Sequence, residues 1–146
     1  MKPGIDYTGV TVVFGCHDGK GKFLLTKRGP GARDEQGTWE FGGGTLEFGE
    51  SVEEALRREM QEEYGCYGEI SEVLAPFSLN RVINGIKTHW ILLPHIMKIN
   101  PDHFRANPDE HVADFGWFRL EDFPTPMHPG EIKIMEHYKD YFLKYS

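Results

Sequence analysis

A cluster of carboxylates interrupts an apolar helix face in the stretch GTLEFGESVEEALRREMQEEYGC, residues 44–66. Its members are Glu59, Glu62 and Glu63. At 100° per residue they continue the line of Val52 and Leu56, which the pattern marks as the buried side of a helix. A carboxylate that faces inward destabilises a fold by several kcal/mol unless it is paired or bound to a metal. Because clustered oxygen ligands suit hard cations, the pattern predicts a site for Mg²⁺ or Mn²⁺.

The helix that carries this cluster has recognisable ends in the sequence. Ser51 and Glu54 have the spacing of a capping box, which predicts that the helix begins there. Gly65 stands where a C-terminal stop is expected, after about four turns. We therefore expect the carboxylates near the C-terminal end of a helix that packs on a sheet.

The same stretch resembles the signature of a known family. It is similar to the box of the Nudix hydrolases, Gly-x5-Glu-x7-Arg-Glu-U-x-Glu-Glu-x-Gly-U, in which U is bulky and apolar. Every fixed position is filled, at Gly44, Glu50, Arg58, Glu59, Met60, Glu62, Glu63, Gly65 and Cys66. The resemblance implies an α/β fold of the Nudix type, with a mixed β-sheet sandwiched between helices. We expect one such domain over residues 1–146.

The resemblance also implies roles for individual residues. The implied metal ligands are the carbonyl of Gly43 and the carboxylates of Glu59, Glu62 and Glu63. Arg58 is expected to orient Glu59, and Glu50 is expected to form an ion pair with Arg58. Glu47 either acts through a water molecule or is purely structural.

Two acids are candidates for the general base. Glu59 is one, because the box fixes its position. Family members often take the base from a later loop instead, and Glu110 in the loop NPDEH, residues 107–111, is the candidate there. We favour Glu59 because nothing in the sequence fixes the position of Glu110.

The stretch TKRGPGARDEQGTW, just before the box, resembles the substrate side of the family. This resemblance implies that Arg28 and Arg33 are candidate phosphate contacts. Trp39 and Phe41 either belong to the core or flank a base. Many relatives have proline where this chain has Gly42, so we expect a looser segment there.

Composition narrows the class of protein. A net charge of −7 argues against broad binding to polymeric nucleic acid. No stretch approaches the ~20 apolar residues of a membrane span, and the start MKPGIDYTG lacks the apolar run of a signal peptide. Two cysteines without a CxxC pattern favour reduced thiols in the cytoplasm. We therefore expect a cytoplasmic protein, a monomer or homodimer, and the resemblance implies that its partner is a small nucleotide.

Hydrophobic periodicity and turn residues indicate the remaining elements. The expected strands are 8–16, 22–28, 38–41, 69–82, 87–99 and 112–118, and the expected second helix is 130–145. The dipeptide Asn84-Gly85 predicts a hairpin turn. Pro94 indicates an edge strand or a bulge.

Three functions fit these features. The first is Mg²⁺-dependent hydrolysis of (deoxy)nucleoside triphosphates to the monophosphate and pyrophosphate, as the resemblance to MutT-type enzymes implies. The second is hydrolysis of another nucleoside diphosphate conjugate, such as ADP-ribose, a nucleotide sugar or a capped RNA end. The third is a non-catalytic regulatory module, against which the complete box argues. Met127 stands about where relatives that recognise oxidised guanine carry asparagine, which disfavours that specificity.

Overall fold

Eight β-strands and two α-helices make up the chain, and the computed structural model describes all of residues 1–146. The strands are β1 (Gly9–His17), β2 (Phe23–Arg28), β3 (Trp39–Glu40), β4 (Gly42–Thr45), β5 (Glu69–Val73), β6 (Phe77–Ile83), β7 (Ile86–Lys98) and β8 (Val112–Phe118). The helices are α1 (Val52–Tyr64) and α2 (Pro129–Leu143), with short 3-10 turns at Pro101–His103 and Leu120–Asp122. The expected β1, β2, β8 and both helices are confirmed, with small shifts at their ends.

Alternate side chains of β1 enter two separate cores. Val12 and Phe14 pack in a cluster with residues of α1, such as Leu56. Val13 packs in a second cluster with residues of α2, such as Ile134. Because successive side chains of a strand point to opposite faces, the sheet lies between the two helices. This is the expected α/β arrangement.

The eight strands form one mixed sheet in which β1 is central. β7 runs parallel to β1 along its whole length, while β4 and β2 pair with β1 antiparallel. The main path is β3-β2-β1-β7-β5, with β8 on β2 and β6 on β7. This sheet brings β4 beside α1, which carries the carboxylates.

Neither helix has the length and apolar character that a membrane-spanning helix requires.

Both predicted ends of α1 are confirmed. The Ser51 hydroxyl accepts a hydrogen bond from the Glu54 N–H at 3.1 Å, and the Glu54 carboxylate accepts one from the Ser51 N–H at 3.3 Å. Gly65 ends the helix in the left-handed region, with φ of 69°. These caps satisfy backbone groups that would otherwise lack partners and so fix which residues face the sheet.

The buried side of α1 differs from the expected stripe. Ala55 and Leu56 are buried as expected, but Met60 and Tyr64 continue the buried line rather than Glu62. The Glu62 side chain is 59% exposed. The acidic half of the helix therefore lies along the border of the packed face.

The expected strand over residues 69–82 is two strands, β5 and β6. Both pair with β7, and the break between them faces Pro94. The Pro94 carbonyl accepts a hydrogen bond from the Leu74 N–H at 3.0 Å within this break. The sequence had suggested an edge strand or a bulge at Pro94. Pro94 does not lie on an edge strand, because β1 also pairs with β7 there. The proline is accommodated where the partner of β7 changes.

The hairpin turn at Asn84-Gly85 is confirmed. Asn84 and Gly85 have φ values of 51° and 79°, and Ile83 pairs with Ile86 across the turn. Positive φ at both central residues is the geometry that an Asn-Gly hairpin favours.

Gly42 is required by the packing of its neighbour. It is buried in β4 and pairs with Phe14 of β1. A Cβ at Gly42 would lie 2.0 Å from the Phe14 ring, so neither proline nor alanine fits unless Phe14 moves. The expectation that Gly42 loosens this segment is wrong, since the residue is part of an ordered strand.

Candidate active site

Two glutamates of α1 lie directly against the glycines of β4. The Gly43 N–H donates a hydrogen bond to Glu63 Oε2 at 3.1 Å. A Cβ at Gly44 would lie 2.0 Å from the carboxyl carbon of Glu59, so glycine permits the close approach. Three of the four residues predicted to bind metal, Gly43, Glu59 and Glu63, thus lie together, although the contact of Gly43 is made by its N–H and not by the predicted carbonyl.

Burial makes the charged forms of these two carboxylates costly. Desolvation is the main cause that raises the pKa of Glu59, against the opposing effect of the Arg58 guanidinium. Desolvation also raises the pKa of Glu63 well above its ordinary value, and the carboxylates of Glu59 and Glu40 add to this. The Gly43 N–H only partly compensates Glu63. A positive charge at this position would therefore be strongly favoured.

Arg58 connects the helix to the turn that precedes it. Its Nε and Nη2 donate to the Glu50 carboxylate at 2.8 and 3.0 Å, which confirms the expected ion pair. Its Nη1 donates to Glu59 Oε1 at 2.7 Å, and its Nη2 also donates to the Thr45 carbonyl at 3.0 Å. The hydrogen bond from Arg58 lowers the pKa of Glu50. The geometry fits the predicted role of Arg58 in orienting Glu59.

The other two acids of the box lie nearer to solvent. Glu62 Oε2 lies 3.5 Å from Arg58 Nη1, and Glu47 Oε1 lies 3.8 Å from the same nitrogen. The Glu47 side chain is 65% exposed. Both can reach a cation only from the outer side of the site.

The donor set fits a hard divalent cation. Glu59 and Glu63 supply buried carboxylate oxygens whose charge the protein leaves only partly neutralised. Carboxylates with few competing donors are the ligands that Mg²⁺ and Mn²⁺ prefer. Glu62 adds a carboxylate at the exposed margin.

A cavity of about 220 Å³ begins at these glycines. Its lining includes backbone of residues 42–45, three arginines, three acids and one histidine. Those charged or titratable residues are Arg28, Arg33, Arg81, Asp34, Glu40, Glu131 and His128. A polar cavity that adjoins a cation site suits an anionic organic molecule.

Comparison with known proteins identifies the family. A model described as NUDIX domain matches residues 6–138. The chain belongs to the Nudix family. CTP pyrophosphohydrolase of Escherichia coli K12 is 32% identical over 127 residues, which cover 87% of this chain and 89% of that protein. Nucleoside triphosphatase NudI of Escherichia coli O139:H28 is 29% identical over 118 residues, which cover 77% of this chain and 83% of that protein.

A solved structure agrees with this assignment. The crystal structure of a MutT NUDIX hydrolase from Burkholderia pseudomallei has a TM-score of 0.73 and 27% identity, and the match covers 89% of this chain and 97% of that one. The protein is accordingly a MutT-like Nudix hydrolase, and Nudix hydrolases generally use divalent metals.

The two arginines predicted to contact phosphate differ in their surroundings. Arg28 donates to both oxygens of Glu40, at 3.0 and 3.1 Å, and to Asp34 Oδ1 at 2.9 Å. Its Nε also donates to the Asp34 carbonyl at 2.8 Å, so four of its five N–H groups already have partners within the domain. Arg33 is 69% exposed, with Asp34 at 3.9 Å and the Trp90 ring centroid at 5.9 Å. Arg33 is thus the freer of the two.

The predicted aromatic pair belongs mainly to the core. Phe41 is 2% exposed and stacks on Phe142 with ring centroids 5.3 Å apart. Trp39 packs edge-to-face on Phe118 at 5.4 Å and does not line the cavity. Phe41 nevertheless lines the cavity, as does Trp90, which the sequence did not single out.

Glu110 lies on an exposed loop that contacts the loop after β2. Its side chain is 77% exposed, and its carbonyl accepts a hydrogen bond from the Gly31 N–H at 2.6 Å. Glu110 is not among the residues that line the cavity. The Glu110 carboxylate has its ion-pair contact with His111, at 3.8 Å, and not with an Arg58 or Nudix box group.

Sequence reasoning missed Arg81, which joins β6 to the loop after β2. Its Nη1 donates to Glu35 at 3.1 Å and its Nη2 lies 3.7 Å from Asp34, while its buried Nε has no partner. The sequence contained a signal for Arg81. Because side chains alternate along a strand, Arg81 lies on the same, core-facing side of β6 as the buried Leu79.

Sequence reasoning also missed a group of three residues that line the cavity, Glu40, Glu131 and His128, which we call the floor of the cavity. One oxygen of Glu40, one of Glu131 and a ring nitrogen of His128 lie within 4.8 Å of one another. Burial first, and the Glu131 carboxylate second, raise the pKa of Glu40 to about 7, against the effect of Arg28. Burial opposes the charged form of His128, but Glu131 and Glu40 outweigh it and raise the pKa of the imidazole.

Proposed function

We propose that this protein is a Mg²⁺-dependent pyrophosphohydrolase that cleaves a (deoxy)nucleoside triphosphate to the monophosphate and pyrophosphate. The observation that carries the proposal is the approach of partly buried Glu59 and Glu63 to Gly43 and Gly44, which line a polar cavity. The names of the two curated relatives support triphosphates as substrates. We also propose that residues 1–146 contain a single Nudix domain.

Glu59, Glu63 and the carbonyl of Gly43 would hold the cation, with Glu62 at its outer side. When bound, a divalent cation neutralises phosphate charge and lowers the pKa of a coordinated water. This matters here because the chain has a net charge of −7 and its substrate is an anion.

Glu59 is the proposed general base. Arg58 holds its carboxylate at 2.7 Å, so the oxygen that receives the proton has a fixed position. Water attacks one phosphorus of the α–β anhydride as Glu59 takes its proton, one P–O bond forms, and the P–O bond to the bridging oxygen breaks, so that the monophosphate and pyrophosphate separate. Arg33 is the proposed phosphate contact, since it is the more exposed of the two arginines predicted to bind phosphate, Arg28 and Arg33.

A panel of nucleotides incubated with Mg²⁺, with products identified by chromatography, tests the proposal. The expected products from a triphosphate are the monophosphate and pyrophosphate. Glu59→Gln and Glu63→Gln should remove most turnover, because an amide is nearly isosteric but cannot neutralise a cation. Glu53→Gln is the matched control, because Glu53 lies on the same helix with a side chain that is 68% exposed.

Three outcomes would contradict the proposal. Hydrolysis by Glu59→Gln or Glu63→Gln at close to the wild-type rate would exclude the metal assignment. Turnover of ADP-ribose or a nucleotide sugar but not of triphosphates would establish a different substrate class. Tight nucleotide binding without turnover by the wild type would indicate a regulatory module.

A further inference from the structure

Two chemically different groups of residues lie at the cavity. Gly43 and Gly44 line it and adjoin the proposed metal ligands Glu59 and Glu63. The floor adds the carboxylates of Glu40 and Glu131 together with His128. If the phosphates are held beside the proposed metal ligands, as the proposed function requires, the base of the nucleotide lies against the remaining lining, to which the floor belongs. The inference below therefore rests on the proposed function.

The floor is held in place by backbone contacts between distant parts of the chain. The Trp39 N–H donates to the Pro126 carbonyl and the His128 N–H donates to the Trp39 carbonyl, both at 2.9 Å. These bonds fix the start of α2 beside Glu40. Glu131, in the first turn of α2, is thereby brought to the same floor. A site built by two elements in this way is preorganised for a ligand.

Glu131 has unused capacity to accept hydrogen bonds. Its side chain is only 8% exposed, and its charged partner is His128, with Nδ1 at 3.3 Å from Oε2. The same Nδ1 lies 3.0 Å from the Gly130 N–H, which donates to it. One ring nitrogen cannot accept from Gly130 and also donate to Glu131, so the carboxylate lacks a donor whenever the Gly130 bond is made.

A divalent cation is a poor occupant of the floor. The Arg28 guanidinium donates to both oxygens of Glu40, so a metal bound there would lie close to a fixed positive charge. A neutral donor avoids this repulsion. Each carboxylate oxygen has two lone pairs, so Glu40 can accept a further hydrogen bond beside those from Arg28.

The spacing of the acceptors suits an amino group. An amino nitrogen lies about 2.9 Å from each oxygen that it donates to. Oxygens as far apart as 4.8 Å would subtend about 110° at that nitrogen, which is near the angle between its two N–H bonds. A carbonyl oxygen in the same place would face two acceptors and be repelled.

We propose that Glu40 and Glu131 recognise the exocyclic amino group of the nucleotide base, so that cytosine is selected over uracil. Adenine and guanine also carry amino groups, and thymine does not. Cytosine and uracil are the sharpest comparison because the rings have the same size and differ in the group presented to the floor. The floor thus determines the class of base, while the Nudix box determines the chemistry.

Binding of monophosphates in the absence of metal tests the proposal without turnover. Isothermal calorimetry in EDTA compares CMP with UMP, and AMP and GMP with TMP, at about pH 8, above the pKa of about 7 for Glu40. The expected result is that CMP binds at least about 10²-fold more tightly than UMP, since a polar site rejects a ligand that leaves its groups unpaired. The AMP and GMP arms show whether purines with amino groups are also accepted.

Glu131→Gln should reduce the preference for CMP over UMP by at least about 10-fold, because an amide can turn a donor toward the uracil carbonyl. Glu136→Gln is the matched control, because Glu136 is exposed on the same helix. Equal binding of CMP and UMP by the wild type would overturn the proposal whether or not the variant folds. An unchanged preference for CMP over UMP in Glu131→Gln would also overturn the proposal. Loss of Mn²⁺ binding in that variant, with the preference for CMP intact, would overturn it as well.

The two proposals fail in different ways. Hydrolysis of CTP and UTP with equal kcat/KM would leave the proposed function intact and overturn the role of the floor. A strong preference for CMP without hydrolysis of any triphosphate would leave the role of the floor intact and overturn the proposed function.

Discussion

Replacing Glu40 with glutamine should make the stability of the protein less sensitive to pH. In the folded protein, burial and the Glu131 carboxylate raise the pKa of Glu40 from 4.5 to about 7, against the opposing effect of Arg28. The folded state therefore keeps a proton at pH values where the unfolded chain has lost it. Since the folded state binds more protons, the free energy of unfolding decreases as pH rises between these two values.

The magnitude follows from the size of the pKa change. Each pH unit corresponds to about 1.4 kcal/mol, so the full change is worth about 3 kcal/mol. This is an upper value, because the Glu40 side chain is 21% exposed and titrates together with its neighbours. The raised pKa of His128 acts in the same direction, and removing the Glu40 charge reduces that contribution too.

Urea unfolding of metal-free protein between about pH 5 and pH 8 measures this effect. We expect Glu40→Gln to gain stability relative to the wild type as pH rises, by up to about 3 kcal/mol over that range. Glu136→Gln, on the exposed side of α2, should show no such trend. A constant difference between wild type and Glu40→Gln across the range would refute the reasoning.

Other perturbations test the catalytic end of the cavity. Arg58→Ala should lower kcat more than it raises KM, because Arg58 orients Glu59, and steady-state kinetics that show a rise in KM alone would contradict this. Glu110→Gln should leave turnover and Mg²⁺ affinity close to wild type, whereas a loss of about 10² or more in turnover with normal Mg²⁺ titration would make Glu110 the base. Gly44→Ala should weaken Mg²⁺ binding by displacing the Glu59 carboxylate, and an unchanged Mg²⁺ titration would count against the role of Glu59.

The catalytic end of the site could be predicted because its residues are close together in the chain. Caps at Ser51 and Gly65 define one helix, and the spacing of Glu59 and Glu63 places both on the side facing the glycines. The sequence pattern placed Glu62 on the buried side of the helix, but the Glu62 side chain is exposed. A helical period of 100° per residue gives the direction of a side chain. It does not show how far the neighbouring elements cover that side chain.

The base end could not be predicted because tertiary contacts create it. Glu40 and His128 are far apart in the chain and meet only where the Pro126 backbone pairs with Trp39. The resemblance implied that Arg28 contacts phosphate, but it could not show that Glu40 and Asp34 accept most of the hydrogen bonds that Arg28 donates. Residue type indicates what a side chain can bind, whereas its actual partner depends on the fold.

Local propensity likewise failed for β4. Gly42, Gly43 and Gly44 are poor strand formers, so the expected strand ended at residue 41 and a looser segment was expected after it. Pairing with β1 overrides this preference, and Phe14 and Glu59 occupy the space that side chains at Gly42 and Gly44 would need. The glycines therefore serve the close packing of neighbouring groups more than they serve flexibility.

Glu63 and Glu40 have the same electrostatic problem. Burial disfavours the charged form of each carboxylate, and the charge of Glu40 further raises the pKa of Glu63. The last turn of α1 has no basic residue, although the negative end of a helix favours a cation there. In the two proposals, a divalent cation would remove the cost at Glu63, and a hydrogen bond donated by the base would remove it at Glu40. Binding of a nucleotide together with its cation would therefore relieve both costs at once.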